Sequence, residues 1–214
     1  MNGEPFAEAA PSFMKIACWP KEVTAGFSTR NGGTSVPPFQ SLNLGYHVED
    51  EPDKVLLNRK HLAERLSFPM QQWICAEQIH GSAIRKVDEG EAGNGSLDMN
   101  SAIPGTDGLY TNAKGILLAL AYADCVPLYF FAPRSGFVGI AHAGWRGTVQ
   151  NIGGFMVERW VRNQSIPIED IHVAIGPSIG PCCYEVDYRV IEAVGEALEP
   201  DVDQVCRPVS ESHF

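Results

Sequence analysis

Basic residues are scarce in this chain: 16 lysines and arginines stand against 26 aspartates and glutamates, a net charge of -10 over 214 residues. A nucleic-acid surface needs a basic footprint to neutralise phosphates, so this balance excludes nucleic acid as the expected partner while leaving room for a local basic pocket. Long hydrophobic runs are also missing. The two longest, Gly115 to Tyr122 and Val126 to Ala132, are separated by Asp124 and fall well short of the ~20 apolar residues of a membrane span. Residues 1–20 carry Glu4, Glu8, Pro11 and Pro20 and no apolar stretch, so no secretory signal is read there and a cytoplasmic location is expected. The six cysteines form no CxxC pair, and the adjacent Cys182 and Cys183 are awkward disulfide partners. Reduced thiols are therefore expected. No repeat, low-complexity tract or linker interrupts the chain, which reads as one domain over residues 1–214, large enough to bury its own core.

What is present is a mixed pattern of strands and helices. Phe13 to Cys18, Val23 to Ser28, Trp73 to Glu77, Ser82 to Val87, Leu109 to Thr111, Ile116 to Ala121, Leu128 to Phe131, Phe137 to Ile140 and Ile171 to Ile175 read as strands, several apolar enough to be buried on both faces. A helix is predicted from Pro52 toward Pro69 with Val55, Leu56, Leu62, Ala63 and Leu66 on its apolar face. A second is predicted to be capped by Thr148, with Ile152, Phe155, Met156 and Trp160 inward and Pro167 as its stop. A third runs from Asp187 to Leu198, ahead of Pro200. The acidic, glycine-rich stretch Asp88 to Gly95 reads as a surface excursion that could form a lid. The order is not a regular strand–helix alternation, so the expected fold is mixed α/β, with mixed sheets and helices packed outside.

Chemistry-bearing residues concentrate at three predicted strand ends. Cys125 lies in Ala123-Asp124-Cys125-Val126-Pro127-Leu128, His142 in Ala141-His142-Ala143-Gly144-Trp145-Arg146-Gly147, and His80 in Glu77-Gln78-Ile79-His80-Gly81. Two imidazoles and a thiol make a three-ligand zinc site with an open fourth position, the catalytic rather than the structural arrangement. Each residue also has an ordinary reading: Cys125 as a packing thiol, His142 as a core imidazole bonded to a carbonyl. Asp124, costly beside a core unless partnered, and Glu77 are the carboxylates near the proposed ligands and the candidates for moving a proton. Arg146, just before the expected helix start at Thr148, could complete an anion site or form a surface ion pair. The segment Gly176 to Glu185 reads as a rigid turn or as a cleft wall lined by Cys183 and Tyr184. Among the other histidines His47 is the strongest ligand candidate, ahead of His61, His172 and His213.

Five segments in order, Ser41-Leu42-Asn43-Leu44-Gly45, Gln78-Ile79-His80-Gly81, Ala123 to Leu128, Ala141 to Gly147 and Gly176 to Tyr184, resemble the YfiH/YlmD family, also called the laccase-domain family. Its members have been described as laccase-like polyphenol oxidases and as purine nucleoside phosphorylases with adenosine deaminase activity. The resemblance implies a YfiH-like mixed α/β fold once grouped with cysteine hydrolases, and a zinc site at His80, Cys125 and His142. It also implies phosphorolysis of adenosine, inosine and methylthioadenosine, and deamination of adenosine. Nucleoside and phosphate are then the expected partners, with no membrane or nucleic acid, for a monomer or homodimer. Family members usually continue into a Cys-Thr segment, an aromatic-Ser-Tyr-Arg-Arg-like strand and a Gly-Arg element that are not in this sequence, so a form lacking those C-terminal elements is expected. Alternative chemistries are copper-dependent phenol oxidation, since an N/S site binds Cu(2+) tightly, and a metal-free Cys125–His142 hydrolase. A non-enzymatic zinc module would need a fourth ligand.

Overall fold

A computed structural model describes residues 4–198 and 205–207. Strands β1 (Phe6–Ala10), β2 (Phe13–Ile16) and β3 (Gly26–Ser28) form an antiparallel three-stranded sheet. Helix α1 (Pro52–Leu66) leads into β4 (Trp73–Cys75), then β5 (Ile84–Lys86), β6 (Gly108–Thr111), β7 (Leu117–Ala119), β8 (Val126–Ala132) and β9 (Phe137–Ala143). Helices α2 (Trp145–Val149) and α3 (Ile152–Gln164), strand β10 (His172–Ile175) and helix α4 (Tyr188–Leu198) complete the described elements. The main sheet has the order β10-β8-β9-β6-β5, antiparallel except for the β6–β5 pair, while β4 and β7 pair in parallel. The fold is thus mixed α/β, as the element order predicts.

Burial explains why α3 lies against this sheet. Ile152, Met156 and Trp160 recur at helical spacing and are buried against Phe130, Tyr110, Phe137 and Ala141 of the sheet. Phe155, predicted inward, is 41% exposed. It follows Ile152 by three residues and precedes Met156 by one, so it sits at the margin of the apolar stripe.

The helix predicted to start at Thr148 is two helices. Thr148 lies inside α2, its hydroxyl donating to the Ala143 carbonyl at 3.4 Å, and Gly144 occupies the position before that helix. Asn151, in the left-handed conformation at φ 62°, breaks the path and caps α3 by accepting from the Gly154 N–H. Asparagine tolerates that backbone and supplies the capping oxygen, so one residue both ends α2 and starts α3. At the other end α3 stops at Gln164, before Pro167, through Ser165 at φ 55°. The expected Pro200 stop of the last helix, like His213, lies outside the described residues.

Two polar side chains on the buried face of α1 organise the neighbouring loops. Asn58, fully buried, accepts from the Thr34 N–H and hydroxyl and donates to Ser35 Oγ and to the Ser41 and Asn43 carbonyls. Arg59 donates to the Leu44, Gly95 and Ser96 carbonyls, with its guanidinium 4.3 Å from the Tyr46 ring centroid. The loop carrying Ser41 to Gly45 is therefore fixed from the helix side. The Asp88 to Gly95 stretch is not a free lid. It forms a turn closed by a capping box between Asp88 and Glu91, and it is tied to β4 by the Gly93 N–H on the Trp73 carbonyl and the Cys75 N–H on the Asn94 carbonyl.

Trp160 anchors α3 to the sheet by edge and tilted contacts with Phe130, Tyr110 and Phe137. Trp160→Ala is expected to lower unfolding free energy by about 3–5 kcal/mol through lost burial and a residual cavity. A denaturant midpoint equal to that of the wild type would show that this contact does not hold the helix on the sheet.

Candidate metal centre

The register of the main sheet brings the site together. β8 and β9 pair with Val126 opposite Ala143 and Pro127 opposite His142, which sets Cys125, just before β8, beside Gly144, just after β9. β6 joins the other side of β9 with Gly108 opposite Ala141, and the His142 N–H donates to the Asp107 carbonyl at 2.7 Å. Because β9 runs antiparallel to both neighbours, its end meets their starts at one rim of the sheet. His80 arrives from the loop between β4 and β5, at φ 58°.

Asp107 fixes that loop. Its carboxylate, fully buried, accepts from the backbone N–H groups of Ile79 (3.2 Å), His80 (3.0 Å) and Gly81 (2.8 Å), and from His142 Nδ1 (2.9 Å). Burial pushes its pKa up, but the bonds from His142, Gly81 and Ile79 outweigh it and leave the carboxyl below its ordinary value. With Nδ1 turned to Asp107, His142 presents Nε2 to the cleft. Carboxylate-oriented histidines of this kind are the usual second layer of metal sites. Gln78 pins the same loop from the other side, donating to the Ala121 carbonyl and accepting from the Ala121 N–H at 2.8 and 2.7 Å.

The result is one cluster in which the His80, Cys125 and His142 donor atoms lie within 4.8 Å of one another, with His80 exposed, Cys125 half-buried and His142 buried. The imidazole rings of His80 and His142 meet edge to face at 4.8 Å. Gly144 is the floor of this cluster: a β-carbon there would stand 3.2 Å from Cys125 Sγ and 3.3 Å from His80 Cδ2. Tyr122 closes the inner side, its ring 5.5 Å from that of His142 and its hydroxyl donating to the Ala141 carbonyl. Desolvation holds that hydroxyl well above its usual pKa, so it is a neutral wall. Two nitrogens and a sulfur suit zinc or copper. Asp107, Gln78 and Tyr122 were not singled out by the sequence as site residues.

The other predicted site residues are distributed around this cluster. His80, Cys125 and His142 face a broad open concavity that Asp124, Glu77, His47, Asn43 and Arg59 also line. Asp124 and Glu77 are exposed, so Asp124 needs no buried partner; its carbonyl accepts from the Ile179 N–H. Arg146 is corrected in two respects. It lies within the first turn of the five-residue α2 rather than ahead of a helix at Thr148, and it is exposed, its guanidinium 4.8 Å from the Trp145 ring centroid, outside the residues that line the cleft. His47 is not in the donor cluster, yet partial desolvation and the positive charges of Arg59, His80 and His142 lower its pKa. His61 sits on α1 and His172 at the start of β10, apart from the cluster. Cys183 is exposed, and Tyr184 lies close enough to Cys125 and Asp124 for their charges to add to desolvation in raising its pKa.

The fold and site together define a mixed α/β protein whose strand ends carry a His–Cys–His cluster suited to a metal ion. Residues 24–213 match the family described as multi-copper polyphenol oxidoreductase laccase, and the chain belongs to that family. It is 51% identical over 190 residues to the purine nucleoside phosphorylase YlmD of Geobacillus stearothermophilus, covering 89% of this chain and 69% of that protein. To the purine nucleoside phosphorylase YlmD of Bacillus subtilis it is 42% identical over 216 residues, covering 98% of this chain and 77% of the relative. The crystal structure of the Bacillus licheniformis protein YfiH superposes with a TM-score of 0.94 at 43% identity, over 99% of this chain and 79% of that one. No described helix is long and apolar enough to cross a membrane.

The Asp107–His142 pair generates a measurable titration. Burial lowers the His142 pKa, but hydrogen bonds to Asp107 and Cys125, with the charges of both, raise it to about 9. Below the unfolded value of about 6.5 the metal-free chain therefore keeps the whole stabilisation from charging this ring, and it loses it as pH rises through about 9. NMR titration of the metal-free chain is expected to give a His142 midpoint near 9, falling toward about 6.5 in Asp107→Asn. An unchanged midpoint in the variant would show that Asp107 does not control this imidazole.

Proposed function

We propose that the chain is a zinc-dependent purine nucleoside phosphorylase, acting on adenosine, inosine and methylthioadenosine, with adenosine deaminase activity at the same cleft. The observation that carries this reading is the His80–Cys125–His142 cluster at the open cleft of a chain whose relatives at 51% and 42% identity are named purine nucleoside phosphorylases. His80, Cys125 and His142 would hold the ion, and zinc there supplies a Lewis acid.

The chain's own residues do the rest. Asp107 fixes the orientation of the His142 ring and holds the His80 loop through three backbone N–H groups, so the ligand residues are in place before an ion binds and displaces the His142 Nε2 proton. Phosphorolysis joins a phosphate oxygen to the anomeric carbon as the glycosidic bond breaks, and the departing purine takes a proton. Asp124 and Glu77, carboxylates facing the cleft, are the proposed proton carriers. In deamination the same carboxylates would serve water attack at the amino-bearing carbon. One His/Cys/acid cluster of metal-binding geometry occurs among the described residues, whereas reducing dioxygen with four electrons calls for several coppers. That favours nucleoside chemistry over the polyphenol oxidation in the family's description.

Protein purified without added metal is expected to carry one zinc per chain by elemental analysis. His80→Ala, Cys125→Ala and His142→Ala should each reduce it strongly, because three ligands set the affinity. Full zinc with no activity in Cys125→Ala would instead make the thiol a nucleophile, as in a Cys–His hydrolase.

The same preparation should convert adenosine and phosphate to adenine and ribose 1-phosphate, and adenosine alone to inosine. Folded, zinc-loaded protein that does neither reaction but oxidises phenols on addition of copper would overturn the nucleoside assignment.

A further inference from the structure

Cys182 and Cys183 sit in the turn that follows β10, both exposed, with their sulfurs 3.2 Å apart. Neither belongs to the His80–Cys125–His142 cluster. The turn is braced: the Cys183 N–H donates to the Gly180 carbonyl, and the Ile179 N–H donates to the Asp124 carbonyl, each at 3.0 Å. Two soft nucleophiles are thus presented side by side to solvent beside the segment that carries Cys125.

Their spacing discriminates between the things a dithiol can do. A disulfide needs sulfurs at about 2.05 Å and α-carbons about 4.4–6.8 Å apart, whereas adjacent residues across a trans peptide are held near 3.8 Å, so an intramolecular disulfide here is strained. Two sulfurs about 2.3 Å from a shared centre lie roughly 3.3 Å apart at a right angle, 3.8 Å at a tetrahedral angle and 4.6 Å when opposed. The observed 3.2 Å matches the first. A trivalent pyramidal centre such as arsenic(III), with near-right angles and bonds of about that length, would take the two sulfurs with less spreading than tetrahedral zinc or linear copper(I).

We propose that Cys182 and Cys183 form a dithiol site that captures a trivalent arsenical as a cyclic dithioarsenite, separate from the candidate metal centre. With a monosubstituted arsenic oxide the two S–H bonds break, two S–As bonds form, and the oxide oxygen leaves with both thiol protons as one water. Arsenic remains trivalent and no electrons are exchanged, so no oxidant is required. The site does not depend on the nucleoside reading, because it uses neither the cleft nor its ligands.

Phenylarsine oxide is the probe. Intact-protein mass spectrometry is expected to find one phenylarsenic adduct per chain, stable to excess 2-mercaptoethanol and removed by dithiothreitol, since only a dithiol competes with a chelate. Cys182→Ser and Cys183→Ser should each reduce the stable adduct at least tenfold, while Cys125→Ala keeps it. The substituted positions are exposed, and thermal unfolding checks that the variants fold. Mapping on the wild-type protein is independent of any variant: trypsin releases residues 163–189, whose only cysteines are Cys182 and Cys183, and the arsenic should travel with that peptide. An adduct that survives the Cys182→Ser/Cys183→Ser double variant, maps to another peptide or disappears with Cys125→Ala would overturn the assignment.

Discussion

The carboxylate of Asp107 is the constraint on which the site depends. Four donors converge on it, three from the backbone of the Ile79–Gly81 loop and one from His142. A buried carboxylate is tolerated only when its charge is fully compensated, and this one is compensated by the groups whose positions the chemistry needs. Removing its charge would free a loop and an imidazole together. The proposed ligand His80 stands at a positive φ that a histidine would not select alone, and the three consecutive N–H bonds of the loop to Asp107 hold that backbone.

The sheet makes this convergence possible. Antiparallel pairing of β9 with β8 and β6 places Cys125, His142 and Asp107 on adjacent strands at one rim. Those residues are 17 and 35 positions apart in sequence (142 − 125 and 142 − 107), and a slip of one residue in either register would turn His142 away from one partner. Trp160 and Met156 of α3 press on the opposite layer of the same strands, so the packing that stabilises the fold also fixes the register of the rim. Asn58 and Arg59 act similarly from α1, bringing the Asn43 loop into the cleft wall.

What the sequence made legible follows from the range of the interactions involved. The strands β8 and β9 and the helices α1, α3 and α4 were readable because apolar periodicity is local, and the three cluster residues were readable because each stands at a strand end in a distinctive segment. Asp107 was hidden in an Asp-Gly pair that reads as turn chemistry, and its partners lie 26 to 35 residues away. β1 was missed because Phe-Ala-Glu-Ala-Ala is poor in β-branched residues; it exists through its pairing with β2. The break between α2 and α3 was missed because Asn151 interrupts the helix without interrupting the apolar pattern. The expectation of an anion site at Arg146 fails for the same reason, since it rests on a helix start three residues too late. Asn58 and Arg59 fall on a helix face where apolar periodicity gives no weight to polar residues, although burial there is what fastens two loops.

The central claim is that His80, Cys125 and His142 together hold one ion in an orientation set by Asp107. Zinc-edge X-ray absorption on protein purified without added metal tests this directly. The account predicts one sulfur and two imidazole nitrogens around a single type of zinc, with the sulfur contribution lost in Cys125→Ala. A spectrum with two or more sulfurs, or with only oxygen neighbours, would contradict it.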